Sequence, residues 1–231
     1  MNTKDLQKNW DKFGKMDPLW SILTLPDKKG NKWDIHEFFA TGKREIDAAM
    51  EYIKSLGINV PGRKALDFGC GVGRLTQALT RYFDEVYGVD IAPSMIELAK
   101  KYNRQGDKCH YYLNETDDLK LFSNNIFDLI YTVITLQHME PRYSKNYIKG
   151  FLRILTPYGV LIFQLPGEPI IINETGTINL NGNEPRMEVY GIKRQEVVEF
   201  LEKNGAQIID VKQVHDPMLR FVNWRYCVTK E

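Results

Sequence analysis

Residues 64–74, KALDFGCGVGR, constrain this chain more than any other segment. A short apolar run carries an acid, Asp67, and three glycines then alternate with other residues: Gly69, Gly71 and Gly73. Glycine enters left-handed backbone without a Cβ penalty, so such a run turns sharply and lets the main chain approach a ligand closely. An ordinary strand-to-helix turn requires one glycine, not three. Leu75, Ala78, Leu79 and Tyr82 follow at helical spacing. The turn therefore delivers the N-terminal amides of a helix to whatever the loop holds.

The same rhythm repeats on both sides. Ile46, Ala49, Met50 and Ile53 form an amphipathic stripe that stops near Gly57. EVYGVD (85–90), 109–113 and 127–132 have the composition of strands. Met95, Leu98, Ala99 and Tyr102 predict a helix, with Ser94 and Glu97 at capping-box spacing. Tyr147, Ile148, Phe151, Leu152 and Leu155 predict another, and GVLIFQL (159–165) reads as a strand buried on both faces. A last helix over 195–204 ends at Gly205. Strands near 208–214 and 224–228 have no helical pattern between them and should pair antiparallel. Alternation of this kind implies right-handed crossovers. The expected fold is α/β: a doubly wound, mostly parallel seven-stranded sheet with an antiparallel last strand and helices on both faces.

At 231 residues the chain reads as one domain. Two segments depart from the rhythm. Residues 1–42 lack a clear period yet hold Trp10, Trp20 and Trp33, and read as a cap. Residues 166–190, rich in Asn, Gly and Pro, read as an inserted flap with a hairpin turn at Asn181-Gly182. Three dispersed cysteines and no CxxC pair give neither a disulfide framework nor a metal site. The charged N-terminus has no signal-peptide core, and the longest uncharged apolar run, 129–139, falls well short of the ~20 residues that span a bilayer. The expected setting is cytoplasmic. A net charge of +1 lacks the basic excess that tracks a phosphate backbone. The expected partner is a small molecule, with no nucleic acid and no membrane, on a monomer or homodimer.

The glycine loop fits two ligand classes. A nicotinamide dinucleotide enzyme spells GxGxxG, which would place a third glycine at position 74, where this chain has Arg74. The observed GxGxG, preceded by Asp67, resembles motif I of the class I S-adenosylmethionine-dependent methyltransferases. VYGVDIAPSMIELAK resembles the next motif of that family, FDLI (127–130) its fourth strand, LQHM (136–139) the LxH that follows, and RILTPYGVLIF its RxLxPGGxLxF turn, with Tyr158 in place of the first glycine. The resemblance runs from about residue 65 to 163. No NPPY-like motif of the DNA-amino-methylating enzymes follows the fourth strand, where TVIT stands.

The resemblance implies S-adenosyl-L-methionine as cofactor and in-line methyl transfer to a small-molecule acceptor, with an oxygen or nitrogen nucleophile favoured. The alternatives are a nicotinamide-dependent oxidoreductase and a non-catalytic cofactor-binding module. It implies roles for Asp67 at the methionine ammonium, for Asp90 at the ribose hydroxyls and for Ile91 on the adenine face. Glu115, Thr116 and Asp117 fall in the adenine segment, and the Thr132 carbonyl near the methionine amine. Arg44 is the candidate for the methionine carboxylate, against a solvated helix-start arginine. Phe38 is a candidate pocket aromatic, against plain core. His138 is the candidate catalytic base, since imidazole can take a proton from a hydroxyl or amine near neutral pH. Its competing role is a hydrogen bond to a loop carbonyl.

Overall fold

The computed structural model describes residues 2–167, 185–214 and 222–230. Strands β1 (Lys64–Phe68), β2 (Glu85–Asp90), β3 (Cys109–Leu113), β4 (Phe127–Thr132), β5 (Leu155–Pro166), β6 (Ala206–Val214) and β7 (Asn223–Lys230) form one sheet. Its order is β3-β2-β1-β4-β5-β7-β6. All pairs from β3 to β5 are parallel, whereas β7 runs antiparallel to both β5 and β6. The bounds of β1, β2, β3 and β4 match the sequence reading, whereas β5, β6 and β7 extend beyond theirs; all six residues of the central β4 are buried, as a strand covered on both faces requires.

Alternate residues of each strand face opposite helical layers. Leu66, Ile130, Leu161 and Phe163 pack beneath α6 (Pro141–Ile154) and α7 (Arg194–Lys203). Ala65, Leu129, Tyr131, Val160 and Ile162 pack against α3 (Ile35–Ser55) and α4 (Arg74–Leu79). Fully burying one such Leu, Ile or Phe contributes roughly 1.5–3 kcal/mol. Strand order reverses direction at β1, whose two neighbours are β2 and β4, so a crevice opens beyond the carboxyl ends of β1 and β4. Within β5, where its register against β4 shifts, Tyr158 stands at φ 61 and is 74% exposed. It takes the left-handed conformation where the family pattern has glycine, and its ring projects into solvent.

Residues 1–42 are not patternless. They form α1 (Thr3–Met16), α2 (Pro18–Ile22) and the first turns of α3. Leu6, Trp10 and Phe13 make the inner stripe of α1, and Asn2 caps it through the Asp5 amide at 3.0 Å. Three apolar positions among lysines were too sparse to register as a period. The capping box at Ser94 and Glu97 is also absent. The helix α5 (Pro93–Tyr102) starts two residues earlier than a Ser94 cap would allow, at a proline, and its N-terminus is satisfied from outside: the Ser94 amide donates to Asp11 Oδ1 at 2.9 Å, and its hydroxyl to the Asp11 carbonyl at 3.0 Å. The predicted hairpin at Asn181-Gly182 lies outside the described residues.

Candidate active site

A cleft enclosing about 1070 Å³ of open space, its mouth included, occupies the crevice. Its floor is the glycine loop. Gly69 and Gly71 sit at φ 78 and φ 51. A Cβ on Gly69 would lie 2.2 Å from Thr135 Oγ1, and one on Gly71 would lie 2.5 Å from Ile22 Cδ1 of α2. Both glycines are therefore required twice, by dihedral and by space. The Gly69 and Cys70 amides are spent on the Val89 carbonyl, at 2.8 and 3.0 Å, which ties the loop to β2.

Asp90 ends β2 and organises the loop. Its Oδ2 accepts from the Gly71 amide at 2.8 Å and its Oδ1 from the Ala92 amide at 2.9 Å. Burial raises its pKa, and those backbone bonds oppose the rise. A carboxylate has about four acceptor sites, so each oxygen retains a lone pair directed elsewhere. Asp67, 2% exposed, accepts from Thr76 Oγ1 at 2.6 Å. Burial pushes its pKa up to about 7, against the Thr76 bond and the Arg74 charge. A buried acid that titrates near neutrality is poised to lose its proton when a cation arrives. Cys70 is buried beside it, and burial holds its thiol well above the ordinary range, so it is no nucleophile.

The opposite wall combines α1 with the turn after β4. The Leu136–His138 turn brings His138 against Trp10, with ring centroids 4.9 Å apart. His138 Nδ1 lies 2.9 Å from the Glu188 carbonyl oxygen. A carbonyl only accepts, so Nδ1 carries the proton and Nε2 keeps its lone pair. Burial lowers the pKa of His138 to about 4, opposed by that backbone bond. The ring is neutral at physiological pH. Just before the turn, Ile134 stands at φ 57. A β-branched residue there stores strain of order 1–3 kcal/mol, and Ile134 lines the cleft.

Residues 66–163 match the methyltransferase domain family. A ubiquinone biosynthesis O-methyltransferase of Coxiella burnetii is 25% identical over 199 residues, covering 79% of this chain and 83% of that protein. A phosphoethanolamine N-methyltransferase of Triticum aestivum is 29% identical over 138 residues, 57% of this chain and 26% of that protein. The fold superposes with a TM-score of 0.70, at 17% identity and over 100% of both chains, on a magnesium protoporphyrin IX methyltransferase from Synechocystis PCC 6803 with bound SAH. Residues 66–163 thus carry a methyltransferase domain, on a fold shared with solved S-adenosylmethionine-dependent methyltransferases.

The residues of the cleft fit that cofactor. Two carboxylates with spare acceptor capacity, a glycine floor that admits close approach, and apolar walls meet in one cavity. Of the sequence-derived site residues of this methyltransferase, Asp67, Gly69, Gly71, Asp90, Ile91, Asp117 and His138 line it. Six do not. Gly73 is the N-cap of α4 at φ 83, turned toward Tyr111. Arg44 is exposed on α3, because the buried stripe of that helix runs through Phe38, Gly42 and Ile46. Phe38 is fully buried against Trp33. The Thr132 side chain is buried within β4. Glu115 turns outward to Gln7 Nε2 at 2.7 Å, and Thr116 faces away while its carbonyl accepts from Tyr147 at 2.6 Å.

Sequence reasoning missed Asn114, Arg74, Trp10 and Thr135, which do line the cleft. Asn114 is buried and shapes the loop by donating to the Thr116 and Asp118 carbonyls at 3.2 and 2.9 Å. Arg74 is 3% exposed and pairs with Glu45 at 2.8 Å. Its signal was its place directly after the third glycine. No described helix is long and apolar enough to cross a membrane, and the described residues hold no cluster of metal ligands.

Proposed function

We propose that this methyltransferase acts on a hydroxyl of a small, largely apolar acceptor, with His138 as the base. The observation that carries the reading is the tautomer of His138, whose Nδ1 proton is committed to Glu188. Nε2 is thereby an acceptor, 3.5 Å from the side-chain nitrogen of Gln137, a long contact that an acceptor hydroxyl can replace, at a cleft walled by Trp10, Met139 and Tyr143. The Coxiella burnetii relative, an O-methyltransferase, points the same way.

S-adenosylmethionine, when bound, supplies a methyl group already activated on a sulfonium. The task left to the chain is to bind, orient and exclude water. Orientation alone can be worth roughly 7–11 kcal/mol of barrier. We assign Asp90 to the ribose hydroxyls through its remaining lone pairs. Asp67 takes the ammonium group, with Arg74 beside it replacing Arg44 as the candidate for the carboxylate. Asp117, Asn114 and Ile91 face the adenine end, and the main chain of 132–135 borders the methionine end. His138 Nε2 receives the proton that the acceptor hydroxyl gives up as its oxygen gains the methyl. A ring of pKa about 4 is a weak base, so it takes that proton only as bond formation acidifies the oxygen. The apolar walls favour a step in which charge is dispersed.

The test is a screen of the purified protein with S-adenosylmethionine against pooled hydroxylated and amine metabolites, reading S-adenosylhomocysteine formed. Turnover on hydroxyl compounds that falls in His138→Ala supports the reading. Turnover confined to amines or thiols, or undiminished in the variant, overturns it.

A further inference from the structure

A second concavity, with about 850 Å³ of open space, shares one wall residue, Arg74, with the cofactor cleft. It lies between the start of α3, the outer side of α4 and the end of α5 with its following loop. Phe39 and Tyr102 meet edge-on across it, with centroids 6.1 Å apart. Gln77 pins the loop, donating to the Tyr102 carbonyl at 3.1 Å and accepting from the Arg104 amide at 3.0 Å. The groove is therefore built, with an ordered wall and an aromatic surface.

Its charge is one-sided. Every side chain lining it that is charged at neutral pH is a lysine or arginine. Arg74 is paired with Glu45 and Arg81 with Asp47. Lys43, Lys101 and Arg104 pair with no carboxylate among the described residues. On a chain whose net charge is only +1, three unneutralised cations around one concavity are a local concentration and repel one another unless an anion joins them.

We propose that this groove binds a phosphorylated anion, its phosphate oxygens held by Lys43, Lys101 and Arg104 and its apolar portion resting on Phe39 and Tyr102. Lysine and arginine are the side chains that recognise phosphate, as point charge and as fork. The phosphate can belong to a soluble metabolite or to the headgroup of an anionic lipid, and the experiment separates the two.

Sodium tripolyphosphate is titrated calorimetrically into the cofactor-free protein, and co-sedimentation is measured with phosphatidylglycerol vesicles against phosphatidylcholine vesicles. The groove variant carries Lys43→Gln, Lys101→Gln and Arg104→Gln. A control with the same charge change carries Lys54→Gln, Lys149→Gln and Lys203→Gln, all exposed elsewhere. S-adenosylhomocysteine affinity within about threefold of the parent certifies that both variants are folded. We expect tripolyphosphate to bind the parent and the control alike, and at least tenfold more weakly to the groove variant. Sedimentation with phosphatidylglycerol that is lost only in the groove variant names the lipid headgroup as the source; tripolyphosphate binding without sedimentation names the soluble anion. Equal weakening in the control, or binding of neither probe by the parent, overturns the proposal.

Discussion

The two walls of the cleft are made in opposite ways. The floor, from Asp67 to Asp90, is main chain: glycines in left-handed conformations, amides tied to Val89, and a carboxylate accepting from Gly71 and Ala92. The roof is side chain. The helix α1 lies over the cleft through Leu6 and Trp10 and is held down by polar tethers. Asn9 exchanges two bonds of 2.7 Å with the Arg186 backbone, Gln7 reaches Glu115, and Asp11 caps α5. The floor is part of the folded core and opens only with it. Apart from the packing of Leu6, Trp10 and Phe13, the roof rests on a few hydrogen bonds, most of them exposed, each worth about 1 kcal/mol net, and it can loosen before the floor does. One wall suits a constant ligand, the other a variable one.

The sharpest way to break this contrast is to give the floor a side chain. Gly69→Val places atoms where Thr135 stands and forces a β-branched residue into φ 78. S-adenosylhomocysteine affinity should fall at least 100-fold by calorimetry and the melting temperature should drop; a variant that binds normally would show that the loop is not the floor of the site. Next comes the boundary between the walls. His138→Ala should lower kcat by roughly 10²–10⁴ while leaving S-adenosylhomocysteine affinity within threefold, and full turnover would remove His138 from the chemistry.

Protonation sharpens the comparison further. With its pKa at about 7, Asp67 must release a proton to receive an ammonium. S-adenosylhomocysteine affinity should therefore rise with pH, by up to about tenfold per unit below pH 7, and level off above it. For folding of the free protein the sign is reversed. Because the folded pKa is raised from 3.8, the contribution is full below that value and is lost as pH rises through about 7. Asp67→Asn should flatten both curves, and a binding curve that stays as steep in the variant would assign the titration elsewhere. The smallest effect belongs to the roof: Asn9→Ala should cost about 1 kcal/mol, seen as faster amide exchange in α1 with no change in the floor. Uniform acceleration would mean that the two walls open together.

That contrast also explains what could be read from sequence. The floor was legible because left-handed turns and buried strands restrict residue type locally, so Gly69, Gly71 and Asp90 announce themselves in one dimension. The roof was not. Leu6, Trp10 and Phe13 acquire meaning only once β1 and β4 place a cleft beneath them. Asp11 caps a helix 83 positions away, which no local pattern encodes. Arg44 and Arg74 are equal as letters; the packing of α3 on α4, so close that a Cβ on Gly42 would lie 2.4 Å from the Arg74 carbonyl oxygen, buries one and leaves the other in solvent. In the loop after β3, the buried amide of Asn114 sets the register and turns Glu115 and Thr116 out of the cleft.

The most direct test is one calorimetric series with S-adenosylhomocysteine on the parent, Asp90→Ala and Trp10→Ala. Affinity should fall 100-fold or more in the floor variant and less than about threefold in the roof variant, both remaining folded by circular dichroism. Retained affinity in Asp90→Ala, or an equal loss in Trp10→Ala, would contradict that division between floor and roof.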